Sequence, residues 1–144
     1  MPRALLLTGD AAEELDTMYP YYRVQEGGWD VDVSSRTMRD VQLVIHEFDP
    51  NSDAYVEKNG RKLPVDVPWA DVDVALYDAL IIPGGRAPEW IRVDADVRRI
   101  TEHFFAQDLP IIQAVGLTYC VVVLTINTVV DAAYVILNPK LRIA

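Results

Sequence analysis

A chain of 144 residues with 51% hydrophobic content is long enough for one domain with a real core and too apolar to remain disordered. Its net charge of −9 opposes nucleic-acid phosphates and anionic membrane surfaces, so neither is expected as a partner. One cysteine and two histidines exclude an internal disulfide and a structural zinc site, and no metal or cofactor is expected. Asp, Pro or Asn interrupts each apolar run before it reaches membrane-span length, and Met-Pro-Arg followed only by Ala4 to Leu7 does not read as a signal peptide. A soluble, cytoplasmic protein forming one domain over residues 1–144 is the expectation.

Ala4-Leu5-Leu6-Leu7 predicts a short buried strand, and Thr8-Gly9-Asp10 supplies turn chemistry at its carboxyl end. A helix follows, with Asp10 as cap, Glu13 and Glu14 in the first turn, Leu15, Met18 and Tyr22 at helical spacing, a kink at Pro20, and Gly27-Gly28 as the stop. Val31 and Val33 alternate with Asp30 and Asp32 to give a second strand, so the chain opens β-α-β. From Arg36 to Val67 the alternation of Val41, Leu43 and Ile45 predicts a β-rich excursion, with turns at Asn51-Ser52-Asp53 and Asn59-Gly60. His46 reads as a strand-surface residue there. Trp69 to Leu76 reads as a connector holding a helical turn.

Ala79 to Ile82 is continuously apolar and stops at Pro83-Gly84-Gly85, the pattern of a buried parallel strand running into a tight turn that bares backbone N–H groups. Open α/β sheets place ligands at that end of a strand. Asp94 then caps a helix whose apolar face is Val97, Ile100 and Phe104, with Arg98, Arg99 and Glu102 opposite and His103 in solvent. Pro110 opens a further expected strand, Ile111 to Val115, with Gly116 as its turn. Val121 to Ile126 and Val129 to Leu137 are β-like runs separated by Asn127-Thr128, which reads as a hairpin. Alternating strands and helices imply a parallel sheet with right-handed crossovers.

Gly9-Asp10 with Glu13 and Leu15, Tyr19-Pro20, Tyr77-Asp78-Ala79-Leu80, the string Pro83-Gly84-Gly85-Arg86-Ala87-Pro88-Glu89, and Pro110 together resemble the ThiJ/PfpI family of the class I glutamine amidotransferase-like superfamily. The resemblance covers residues 3 to 115 and implies a flavodoxin-like three-layer sandwich, its C-terminal part atypical or shortened here. It further implies cysteine-dependent hydrolase or lyase chemistry, of the protease, amidase, glyoxalase or deglycase type, and an association with stress responses. The family's cysteine sits on a strained strand-to-helix elbow, the next histidine takes its proton, and a glutamate from a neighbouring subunit orients that histidine. Glu89 matches that glutamate, Gly84 and Gly85 match the oxyanion loop, and Glu13 matches a first-turn carboxylate that tunes the thiol. A homodimer or larger homo-oligomer is thereby implied, acting on a small carbonyl or peptide-like substrate.

The chain departs from the family at the elbow. Alignment on Pro110 places Val115 at the nucleophile and Gly116 at the histidine, and neither has an atom for the chemistry. Cys120 lies more than a helical turn further on, before Val121-Val122-Val123, none of which accepts a proton. Val129-Val130-Asp131 with Asn138-Pro139 resembles the family's late strand. Three readings stay open: a hydrolase or lyase relative lacking its nucleophile, a non-catalytic oligomeric binding module, and an enzyme using Cys120.

Overall fold

A computed structural model describes the backbone of residues 1–51 and 53–137, and their side chains outside 107–116, 120, 129 and 131–137. It is a mixed α/β structure whose central sheet is parallel. The chain divides into two compact units, Met1–Phe104 and Phe105–Ala144.

In the first unit the elements are β1 (Arg3–Leu7), α1 (Glu14–Glu26), β2 (Asp30–Ser35), β3 (Val41–Phe48), β4 (Tyr55–Leu63), β5 (Val67–Pro68), β6 (Ala79–Ile81) and α2 (Ala87–Ile91), followed by the start of α3 (Ala95–Leu137). The sheet runs β5-β2-β1-β6, and β3 and β4 form a separate antiparallel pair. Strand β1 is the centre because its residues are apolar on both faces: Ala4, Leu5, Leu6 and Leu7 are all fully buried. Alternation along the strand splits them. Ala4 and Leu6 face Met18, Val31, Val33, Leu43 and Leu63 on one side, whereas Leu5 and Leu7 face Trp69, Val72, Ile91, Val97, Ile100 and Phe104 on the other. Each buried leucine contributes about 1.5–3 kcal/mol by leaving water.

The connector before β6 holds two 3-10 turns, Trp69–Asp71 and Val74–Leu76, as the sequence predicts. The rings of Trp69 and Trp90 lie 5.9 Å apart at 45°, and the Arg36 guanidinium sits 5.9 and 5.8 Å from their centroids. Asp94 caps α3 as expected, accepting from the Asp96 N–H at 3.0 Å, and Val97, Ile100 and Phe104 are buried. His103, expected in solvent, is half-buried, with its ring edge-on to Phe104.

Four local expectations are corrected. Helix α1 is capped by Glu13, not Asp10: the Asp10 carboxylate is engaged by Arg39 at 2.5 Å and by the Gln42 N–H at 2.9 Å. Its buried face is Thr17 and Met18 with Tyr21 and Val24, while Leu15 and Tyr22 are 70% and 49% exposed. Asn59-Gly60 lies inside β4 instead of turning the chain, and the pairing shifts register opposite it, between Gln42 and Val44.

The last correction is the largest. The strand expected at Ile111 to Val115, the turn at Gly116 and the hairpin over 121–137 are all replaced by α3. Apolar runs are ambiguous between strand and helix, and length arbitrates. No charged residue occurs from Leu109 to Val130, far more than one strand's length. A helix pairs its N–H and C=O groups within the segment, whereas a strand needs a neighbouring edge; β-branched residues oppose the helix by only about 0.5 kcal/mol each. Asn138-Pro139 lies outside the described residues. Among the described residues no helix is long and apolar enough to cross a membrane.

Candidate functional site

Three segments meet at the carboxyl ends of β1 and β6. The turn after β1 contributes Asp10 to Glu13, the turn after β6 contributes Pro83 to Arg86, and β3 lies alongside. The Glu13 N–H donates to the Gly84 carbonyl at 3.1 Å and the Arg86 N–H to the Ala11 carbonyl at 2.9 Å. Ala11 in turn donates to Gln42 at 3.0 Å, and Val44 donates to the Ala12 carbonyl at 2.9 Å. Such pairing leaves little play between the turns.

The backbone conformations explain the residue types. Gly85 has φ +87°, and a Cβ there would collide with the Glu13 nitrogen and the Ala11 carbonyl, so glycine is required. Ala11, at φ 68°, holds a left-handed conformation that costs a non-glycine residue about 1–3 kcal/mol and that the surrounding hydrogen bonds enforce. Added bulk at Gly84 would strike the Asp16 carboxylate.

Beside this junction lies a groove of about 560 Å³ between α1 and the end of β6. Leu15, Tyr19, Ile81, Ile82 and Pro83 give it apolar walls, and Asp16 and Gly84 supply polar groups. Its chemistry suits a small ligand with an apolar body and a hydrogen-bond donor directed at a carboxylate.

Of the residues singled out in the sequence, Glu13, Gly84 and Gly85 are brought together here. The Glu13 side chain folds back onto its own helix and accepts from the Asp16 N–H at 2.7 Å, while the Thr17 hydroxyl donates to the Glu13 carbonyl at 2.6 Å. Glu89 stands on α2, largely exposed, 3.6 Å from Arg92. Val115, Gly116 and Cys120 belong to the helical backbone of the second unit, and their side chains lie outside the described residues.

Two features escape the sequence reading. Asp16 is the carboxylate that lies against the Gly84 turn. Its signal is its place three residues after Glu13: once Glu13 caps the helix, a later carboxylate in the first turn is left to face the turn. The other is a cluster joining the hairpin to the loop. His46 and Glu57 are cross-strand partners with Nε2 and Oε1 3.2 Å apart, and Arg86 Nε donates to the same Oε1 at 2.7 Å, with a second contact from Nη2 to Oε2. Tyr55 stacks on His46 with ring centroids 4.4 Å apart. Strand-period reading places His46 without showing which acid lies opposite it, because the register depends on the bulge.

Charge follows geometry. The Arg86 hydrogen bond holds the Glu57 carboxyl below the usual glutamate range, with His46 adding to it and partial burial opposing. Partial burial pushes the Asp10 carboxyl up, but Arg39 and the Gln42 N–H outweigh it, and the net direction is down. Burial and the Asp32 carboxylate, which accepts from the Tyr77 hydroxyl at 2.8 Å, push that phenol upward. Among the described residues no group of three His, Cys, Asp or Glu side chains is placed to hold a metal ion.

The family model described as DJ-1/PfpI matches residues 2–133. A deglycase of Thermococcus kodakarensis is 31% identical over 109 residues, covering 76% of this chain and 57% of that protein. The deglycase PfpI of Pyrococcus furiosus is 28% identical over 109 residues with the same two coverages, 76% and 57%. The chain thus spans about half the length of the curated relatives it matches. In three dimensions, oxidized DJ-1 of Toxoplasma gondii aligns with a TM-score of 0.58 at 20% identity over 74% of this chain and 52% of its own, a likeness of fold.

Proposed function

Because the chain belongs to the DJ-1/PfpI family, we propose that it is a binding member of that family, seating a small carbonyl or peptide-like ligand in the groove between α1 and the end of β6, which Asp16 and Gly84 line, without cysteine chemistry at the elbow. The observation that carries this reading is the junction itself: a turn requiring glycine, a strained Ala11 and a carboxylate held against Gly84 make a built cradle. The positions aligned with the family's nucleophile and base are Val115 and Gly116, and the backbone there is helical rather than an elbow. What remains for this chain's residues is to bind and orient. Backbone N–H groups of the glycine turn offer hydrogen bonds to a carbonyl oxygen, Asp16 accepts from a donor on the ligand, and the apolar walls exclude water from its body.

The deglycase names of the relatives define the family chemistry against which this reading is tested. Purified chain is assayed for turnover of methylglyoxal and of a peptide-like amide, with and without iodoacetamide, beside Cys120→Ala. The expected result is no thiol-dependent turnover, with binding of the peptide-like amide, whose N–H supplies the donor, weakening on Asp16→Asn in a titration. Turnover abolished by Cys120→Ala overturns the reading in favour of an enzyme using Cys120. The chain is further read as a homo-oligomer.

A further inference from the structure

The groove between α1 and the end of β6 holds a carboxylate that the fold leaves unused. Other acids around the junction are engaged: Asp10 by Arg39 at 2.5 Å, Glu13 by the Asp16 N–H at 2.7 Å, Glu14 by the Arg61 N–H and Nε at 2.5 and 3.1 Å, and Glu57 by Arg86 at 2.7 Å. The Asp16 carboxylate has no hydrogen-bond or ion-pair partner among the described residues, and neither does the Gly84 N–H. Both residues line the groove, and they are adjacent, since a Cβ on Gly84 would strike the Asp16 carboxylate. Tyr19 follows Asp16 by three residues, on the same side of α1. With Leu15 and Ile82 it walls the groove in apolar surface, the three being 67%, 70% and 42% exposed.

We propose that this site takes the free N-terminus of a peptide whose first side chain is apolar, with the ammonium on Asp16 and the first carbonyl oxygen on the glycine turn. This deepens the reading of the groove as a binding site and rests on it. Charge selects a cation: Asp16 is an unpaired anion in a chain of net charge −9, which draws cations and repels anionic ligands. Spacing selects among cations. Because Asp16 lies against Gly84, the ligand must carry its positive charge close to a carbonyl, and in an N-terminal residue only Cα and the carbonyl carbon separate the two. Lysine places its ammonium at the far end of a four-carbon stem, and arginine places its guanidinium beyond a comparable one, so neither side chain brings its own carbonyl to the turn. The walls select the side chain. An aliphatic first residue such as leucine leaves water against Leu15, Tyr19 and Ile82.

The test is calorimetric titration of the whole chain with two compounds. Leucine N-methylamide has a free ammonium, and N-acetyl-leucine N-methylamide keeps the apolar body and the carbonyl without the charge. The free amine is expected to bind at least about fivefold more tightly, and Asp16→Asn is expected to abolish that preference. A second readout needs no variant: about 0.5 M NaCl is expected to shrink the preference in wild type by screening the ion pair. N-acetyl-lysine N-methylamide is expected to bind no better than the blocked leucine. Equal affinity of wild type for the free and blocked leucines overturns the N-terminal assignment while leaving the groove a binding site for the amide. A preference that survives Asp16→Asn overturns the assignment as well, as does acetyl-lysine amide binding as tightly as the free leucine amide. Failure of wild type to bind either leucine compound overturns both readings.

Discussion

In the front unit Leu5, Leu6 and Leu7 are fully buried between two layers, whereas Leu117, Tyr119 and Leu124 on α3 stand 65–71% exposed. Both lie in apolar sequence, and Ala4 to Leu7 and Val121 to Ile126 both read as strands. The difference lies in what satisfies the backbone. β1 pairs with β2 on one side and β6 on the other, from elements separated widely in sequence, and this pairing fixes which side chain enters which core. Helix α3 closes its own hydrogen bonds and so needs no neighbour to form. Tertiary pairing therefore buries apolar surface as a by-product of making a sheet, while local pairing leaves that surface available.

The sharpest way to break this contrast is truncation on each side of it. Leu6→Ala removes a fully buried side chain from the central strand and is expected to cost about 2–5 kcal/mol in urea unfolding. Leu124→Ala, followed through the tryptophans, all of which lie in residues 1–104, is expected to change that transition by less than about 0.5 kcal/mol. Equal effects would mean that the two units share one cooperative core.

A smaller effect tests the junction. Gly85→Ala forces a Cβ into a left-handed conformation against the Glu13 nitrogen and the Ala11 carbonyl, with an expected loss of about 1–3 kcal/mol. An unchanged urea midpoint would show that the two turns are not zipped as described.

The gentlest probe is pH. The Glu57 carboxyl is held below the usual range, chiefly by Arg86, so its contribution is fully present above the unfolded value, about pH 4.3, and is lost as pH falls through the folded value. Wild type is thus expected to lose more stability between neutral and strongly acidic solution than Glu57→Gln does. Parallel acid limbs for the two proteins in urea titrations would remove the Glu57–Arg86 tie from the account.

Much of the front unit is legible in the sequence because its signals are redundant. Ala4 to Leu7 is apolar throughout and followed by Gly9-Asp10, Ala79 to Ile82 stops at Pro83-Gly84-Gly85, and Asp94 caps a helix whose first apolar face, Val97, Ile100 and Phe104, proves buried. Legibility fails where several residues compete for one role. Asp10, Glu13, Glu14 and Asp16 are all acids near a helix start, and only the geometry of the turn after β1 gives Glu13 the cap and leaves Asp16 against Gly84. It fails again in α1, where Leu15, Met18 and Tyr22 share helical spacing but only Met18 meets the sheet. It fails most over residues 111–137, where Gly116 and Asn127-Thr128 divide the stretch into strand-length apolar runs and only its undivided length favours a helix.

The Trp69–Trp90 pair gives the front unit its own optical label. Two indoles held 5.9 Å apart at a fixed 45° tilt couple their electronic transitions, and such a chiral pair yields an exciton couplet in circular dichroism. Residues 105–144 contain no tryptophan, so the couplet reports the face covered by Trp69, α2 and the first turns of α3. Its amplitude reads the order of that layer in any variant, at concentrations too low for assembly to contribute.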